Sequence, residues 1–427
     1  MKDKTNNSNI TSEIDTSKKQ YSSLAAYYRN ASGVIKVIRF TFLLLFVIFC
    51  VHCIGFFKDN ITVENMNYLM KYITLSGSDN TPSETQISIK SEDSSSFHMM
   101  SNDLAVVSDK GCTLYSFSGQ KLFDYEYTYS DASAVSGAGT LLVYDTLGRK
   151  ISMYNTISKF YEDELEYDIK AVDLNDLNYF SVISSEKTYR SGVIVFGPVG
   201  KNGQILEMFR WMSPDKYIMS TSLNTNASNL ACAAMYNKDG SYVSELRVYN
   251  TSHSKNEPLY SYTIDDCLVT KIGYAKNDTV IYALSDGNFT CFNNELSFIG
   301  KASYNRYNAR FFREFDNYFV IVESNNLSGS SMTAKVYNYS AELVAECQTQ
   351  SSIIDVAAYD DKLLLLCSEE LVVYECLLDD TDKIVARMPL DIHFKAICTD
   401  KYARYILIGA KSASRGSIKT LINDFAI

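Results

Sequence analysis

Residues 140–155 read TLLVYDTLGRKISMYN. A continuously apolar run, a polar turn and an alternating strand closing on an aromatic residue make one hairpin. The first strand has the composition of a strand buried on both faces, the second that of a half-buried one. The same hairpin recurs along the chain. Its aromatic-ended strand appears as CTLYSF at Phe117, KISMYN at Tyr154, VIVFG at Phe196, LRVYN at Tyr249, FTCFN at Phe292, AKVYN at Tyr337 and LVVYE at Tyr374. The weakest copy is KTLIN at Ile422. The spacing averages about 44 residues, the period of a four-stranded propeller blade.

An apolar strand precedes each copy: DLAVVS, TLLVYD, YFSVIS, LACAAMY, TVIYALS, YFVIVE, KLLLLC and YILIGA. A further strand follows the first seven: KLFDYEY, SKFYEDE, QILEMFR, PLYSYTI, LSFIGKA, AELVAEC and DKIVARM. The expected fold is therefore all-β, an eight-bladed propeller over residues 85–427, with seven blades as the alternative. The last copy lacks a fourth strand. Thr85–Lys90 (TQISIK) has the length to supply it, pairing near Lys419–Asn423 and closing the ring without a bare edge.

Upstream of the repeat lies FTFLLLFVIFCVHCIGFF at Phe40–Phe57, which contains no Asp, Glu, Lys or Arg. With Val37 and Ile38 it reaches the ~20 residues that cross a bilayer as a helix. Residues 1–39 hold seven basic and three acidic groups, whereas residues 59–427 hold 32 and 47. The positive-inside bias then puts the N-terminus in the cytoplasm and the large part outside. The expected layout is a disordered cytoplasmic tail at 1–36, a transmembrane helix at 37–58, and a juxtamembrane helix (62–74) with its linker within 59–84. His52 is read as a neutral group near the outer interface.

The 427 residues are 46% hydrophobic and 21% charged, with a net charge of −10. That acidity excludes a protein that coats nucleic acid. Blades carrying YDTLGRKISMYN (Tyr144–Asn155), KTYRSGVIVF (Lys187–Phe196) and NKDGSYVSELRVYN (Asn237–Asn250) sit behind one span and an amphipathic helix. In this the chain resembles a family of single-span, membrane-anchored propellers of Gram-positive bacteria, known only as a domain of unknown function. The resemblance covers roughly residues 35–427, and its shape is WD40-like or quinoprotein-like. Its motifs are turns and strand ends, so it carries no catalytic residues across. Asp145 and Gly148 read as hairpin-turn residues, with glycine supplying the conformation.

Chemistry-bearing patterns are sparse. No Cys pair has CxxC spacing outside the apolar span, and neither G-x-S-x-G nor H-E-x-x-H occurs. Outside the span the histidines are His98, His253 and His393. Eight cysteines read as buried thiols, with Cys367 and Cys376 the first candidates for a bond. DLND (Asp173–Asp176), NKDGS (Asn237–Ser241) and DDTD (Asp379–Asp382) read as solvated turns. Propellers that hold a quinone cofactor repeat a tryptophan in each blade, but Trp211 is alone. No cofactor, no metal and no catalytic residue is expected. Nothing in the sequence places Arg190, Arg247, Arg306, Arg310 and Arg313 together.

The turns between second and third strands divide into two classes. They are short in blades one, two, five and seven, and long in three (SEKTYRSG), four (NKDGSYVSE), six (SNNLSGSSM) and eight (KSASRGS). All emerge on one face, so Tyr189, Arg190, Tyr242 and Arg415 are the expected binding residues on a shared rim. The expected function is an envelope-facing, non-catalytic binding or scaffold module for a protein, peptide or cell-wall ligand. The alternatives are an extracytoplasmic hydrolase or lyase with a central-channel site, and a sensor signalling through the tail.

Overall fold

The computed structural model describes residues 35–49, 51, 87–89, 94–186, 188–200, 203–252, 257–275, 278–376 and 383–426. Residues 35–49 are helical with exposed side chains, and are considered by themselves. Among the described residues no helix is long and apolar enough to cross a membrane. The tail at 1–34, residues 50 and 52–58 of the expected span, His52, the expected helix at 62–74 and the linker at 75–84 lie outside the described residues.

The repeat is an eight-bladed propeller of four-stranded antiparallel sheets. Blade 1 runs Ser96–Met100, Asp103–Ser108, Gly111–Tyr115, Lys121–Glu126. Blade 2 runs Ala132–Ser136, Thr140–Asp145, Lys150–Asn155, Lys159–Glu164. Blade 3 runs Asp168–Leu174, Phe180–Glu186, Tyr189–Phe196, Glu207–Ser213. Blade 4 runs Tyr217–Leu223, Asn229–Lys238, Ser241–Asn250, Tyr260–Asp265. Blade 5 runs Val269–Ala275, Val280–Ser285, Asn288–Asn293, Phe298–Ser303. Blade 6 runs Ala309–Glu314, Tyr318–Ser324, Met332–Asn338, Leu343–Thr349. Blade 7 runs Ile353–Tyr359, Lys362–Cys367, Glu370–Glu375, Lys383–Pro389. Blade 8 has Phe394–Thr399, Arg404–Gly409 and Ser412–Ser417, and takes Ile87–Ser88 as its fourth strand. First strands of neighbouring blades touch or, from blade 5 to blade 7, join through Lys271–Glu314 and Arg313–Asp355, and blade 8 meets blade 1, so these strands line the inside of a closed ring.

The recurring aromatic has a definite task. Near the end of the third strand in blades 2, 4, 5 and 7 it wedges against the fourth strand of the preceding blade. Tyr154 lies 5.9 Å from Phe123 and 5.6 Å from Tyr125. Tyr249 lies 5.3 Å from Phe209 and 5.2 Å from Trp211. Phe292 lies 4.9 Å from Tyr262, and the Tyr374 hydroxyl donates to the Glu346 carbonyl at 3.1 Å. These four rings are buried. In blade 1 the strand ends at Tyr115, and Phe117 belongs to the following turn.

The last copy was misread from sequence. KTLIN is not a strand: Ile418–Phe425 is an α-helix, and the third strand is Ser412–Ser417. The ring closes as Ile87↔Ala413 and Ser88↔Ser412, not at Lys419–Asn423. Ile418, Leu421, Ile422 and Phe425 fall at i, i+3, i+4 and i+7, a helical stripe. They pack on the blade 7–blade 8 seam with Ala386 and Tyr405. Here the aromatic comes from the second strand instead. Gly416 leaves room for the Tyr405 ring, where a Cβ would stand 2.4 Å from it.

Two smaller expectations also change. Gly148 does not supply the left-handed residue of its turn; Leu147 does, at φ +62°. Gly148 is required because a Cβ would stand 2.3 Å from the Asp145 carboxylate, whose Oδ1 accepts from the Ser130 and Asp131 amides. Among the described residues eight cysteines are free thiols, seven buried and Cys398 half-buried. Cys367 and Cys376 do not adjoin. The Cys376 amide donates to the Asp361 carbonyl, at the other end of the strand from Cys367. Six extended residues, about 20 Å, separate them, well beyond disulfide reach.

Replacing Tyr249 by alanine opens a seam and is expected to cost about 3–5 kcal/mol, and Leu421→Ala about 2–4 kcal/mol. Equilibrium denaturation checks both.

Candidate functional site

Strand alternation fixes which turns share a face. Turns between second and third strands lie with the connections from one blade to the next. Turns between first and second, and between third and fourth, lie opposite. The former face is the rim expected from sequence, but its construction differs. Blades 3 and 4 do not carry long loops there; their strands continue to two-residue turns. In blade 4 the turn is Asp239 (φ +54°) and Gly240 (φ +90°), the type I′ geometry that matches strand twist. Only in blade 6, among the described blades, do residues 325–331 form a true loop. Its own side chains brace it: the Asn326 Oδ1 accepts from Ser328 Oγ at 3.0 Å and the Ser330 amide at 3.1 Å. Leu327 projects fully exposed.

Three of the four predicted residues reach this rim. Tyr242, 61% exposed, starts the third strand of blade 4. Arg190 is exposed and lies 5.0 Å over the ring of Tyr217, itself exposed. Tyr189 is half-buried, with its hydroxyl 3.2 Å from Ser184 Oγ and its ring edge-on to Tyr167. Arg415 is not on the rim. KSASRGS is strand rather than loop, and Arg415 sits near the opposite face. There its guanidinium donates to the Phe117 carbonyl at 3.0 Å and covers the Phe117 ring with Arg404. It ties blade 8 to blade 1.

No sequence pattern marks the rim residues between blades 5 and 6. Tyr304–Asn308 and the blade 6 hairpin frame a polar cleft of about 570 Å³, lined by Ser303, Asn305, Asn308, Asn325 and Lys335 among others. At its floor Glu323 is buried, bridged to Lys335 at 2.6 Å and accepting from the Asn305 amide at 3.0 Å. Beside it Tyr307 is 78% exposed, and Arg306 covers its ring. A second cleft, about 330 Å³, opens between blades 3 and 4 against Tyr217.

The first strands carry charge that reaches from blade to blade. In blades 3 to 8 each has a one-residue bulge near its start, at Lys170, Met219, Thr270, Arg310, Ile354 and Lys395. Such bulges re-aim a side chain. Asp173, read from sequence as part of a turn, is on the inner strand of blade 3. Its Oδ2 accepts from the Leu223 amide at 2.9 Å. Burial, reinforced by Glu314 and opposed by Lys271, pushes its carboxyl up to about 6. Lys271 bridges to Glu314 at 2.9 Å, and Arg313 to Asp355 at 2.6 Å. Ser220 and Ser222 accept from the Ile272 and Tyr274 amides of the next blade.

This arrangement stitches blades together. His98 Nε2 lies 3.1 Å from Ser96 Oγ. Burial alone lowers its pKa to about 4, whereas a carboxylate held against the ring would raise it. NKDGS forms a hairpin turn, and DDTD and His253 lie outside the described residues. The five arginines are spread from blade 3 to blade 6, and only Arg310 and Arg313 share an element, the first strand of blade 6.

Residues 77–415 match the family model DUF5711, described as a family of unknown function. No curated protein matches the chain in sequence. Among solved structures, BamB from Moraxella catarrhalis aligns at 10% identity and a TM-score of 0.50, over 78% of this chain and 99% of that one. Sqt1 from Saccharomyces cerevisiae aligns at 10% identity and 0.51, over 81% and 97%. Chaetomium thermophilum Sqt1 bound to the N-terminus of the ribosomal protein L10 aligns at 10% identity and 0.51, over 78% and 100%. At that identity the likeness is one of fold.

Two outcomes follow from the geometry. Arg415→Ala is expected to lower stability by about 2 kcal/mol through the lost stacking and charged hydrogen bond, and to leave rim binding unchanged. The second concerns pH. With a folded pKa of about 6 against the ordinary 3.8, Asp173 weakens the fold above pH 6, and that penalty is relieved as pH falls to about 4. Asp173→Asn keeps an acceptor for Leu223 without titrating. It should exceed the parent by about 2 kcal/mol near pH 7, with the difference closing near pH 4 in denaturant titrations.

Proposed function

The chain belongs to the DUF5711 family, and we propose that it is a membrane-tethered, non-catalytic binding or scaffold module that holds a protein or peptide on its rim. The observation that carries this reading is the concentration of exposed Tyr242, Tyr217, Tyr307, Arg190, Arg306 and Leu327 on one face. Tyrosine and arginine dominate binding hot spots, and loops and hairpin ends on a rigid scaffold are where binding residues gather. A ring of this fold is known to hold a peptide: the aligned Chaetomium Sqt1 is bound to the N-terminus of L10.

The tether reading rests on the uncharged run at Phe40–Phe57 and the basic excess of residues 1–39. The proposed layout is a cytoplasmic tail (1–36), a transmembrane helix (37–58), a juxtamembrane segment (59–84) and an extracytoplasmic propeller (85–427), with cell-wall material as the other class of ligand. Ile87–Ile89 runs toward the rim beside Ala413–Lys411.

Protease added to intact cells should remove a C-terminal epitope and spare an N-terminal one. Protection of the C-terminal epitope would reverse the topology. Partner cross-linking to the full chain should fall at least tenfold in Arg190→Ala/Tyr242→Ala/Tyr307→Ala and remain unchanged in Tyr402→Ala on the other face. Equal capture by a folded rim variant would move the site.

A further inference from the structure

The cleft between blades 3 and 4 is lined by Lys170, Ala171, Ile183, Tyr217, Ile218, Met219 and Met235. Its walls are apolar, and a volume of about 330 Å³ is at the lower end of the range for small-ligand sites. Two cations stand at it. Lys170 occupies the bulge between Ile169 and Ala171, and Arg190 lies over Tyr217 at the lip. Among the described residues neither meets a carboxylate. Carboxylates nearby are already engaged, Asp168 by Arg149 at 3.1 Å and Glu245 by both Lys216 and Arg247.

An apolar slot with Lys170 and Arg190 at its rim complements one kind of ligand. We infer that this cleft is a binding site for an apolar carboxylate, its anionic head meeting Lys170 and Arg190 and its apolar body lying against Ile183, Ile218, Met219 and Met235. A peptide ending in an apolar residue and a free amphipathic acid share that chemistry. The inference deepens the rim reading and rests on it for the face used, not for the tether.

The single tryptophan reports on occupancy. Trp211 shares an apolar cluster with Ile183 and Ile218, with Ala171 packed against it. The full chain is titrated with N-acetyl-Ala-Leu-Phe bearing a free carboxylate, with its C-terminal amide, and with decanoate, following Trp211 emission and the melting temperature. Saturable binding of a free acid is expected, with the amide at least tenfold weaker. Lys170→Gln and Arg190→Gln should each weaken the acid about tenfold or more, with unchanged melting of the unliganded protein. Stronger binding of the peptide acid assigns a peptide C-terminus as the source; stronger binding of decanoate assigns a free amphiphile. Equal binding of acid and amide, absence of saturation with every probe, or indifference to both substitutions overturns the inference. If it falls while the triple rim variant still loses partner capture, the rim reading stands.

Discussion

The ring depends on one repeated contact, an aromatic side chain on a third strand pressed against the fourth strand of the blade before it. A four-stranded sheet has two apolar faces and cannot bury them alone. Tyr154 against Phe123 and Tyr125, and Tyr249 against Phe209 and Trp211, make each blade the cover of its neighbour. Such pairs contribute beyond the area they bury, because edge and face of the rings attract. The contact only completes itself if the series closes. Closure needs a fourth strand for blade 8, which Ile87–Ser88 provides, and cover for the seam where the aromatic is missing, which the C-terminal helix provides.

At the inner radius the stitching is polar. First strands approach at the ring centre, where aromatic wedges do not fit. Short side chains and carboxylates there accept the backbone donors of the next blade, as Asp173 does for Leu223 and Ser220 for Ile272. Asp173 sits there at a cost, since burial disfavours its charged form. Lys271, Glu314, Arg313 and Asp355 extend the stitching from blade 5 to blade 7. With both radii fixed, the rim turns are held rigid. Tyr242 and Tyr307 stand on turns at the ends of these stitched strands, and Leu327 on a loop braced by its own side chains.

The sequence by itself determined the propeller period, the order of strands in seven blades, and the supply of the last fourth strand from the N-terminal side, while the choice of eight blades over seven came from the structure. These are period-2 and 44-residue signals that each segment carries locally. It also marked three rim residues, because strand alternation alone decides the face. What only the tertiary structure decided was which polar residues face one another across blades. Asp173 reads as turn until Leu223, 50 residues on, presents its amide. Arg415 reads as loop until Phe117, 298 residues away, offers its ring and carbonyl. KTLIN has an apolar pattern too short to separate strand from helix. The choice falls to helix because Ser412–Ser417 already fills the third position and the blade 7–blade 8 seam needs an apolar stripe. Local pattern encodes what a segment does with its own backbone; its partners are set by ring closure, which no segment carries.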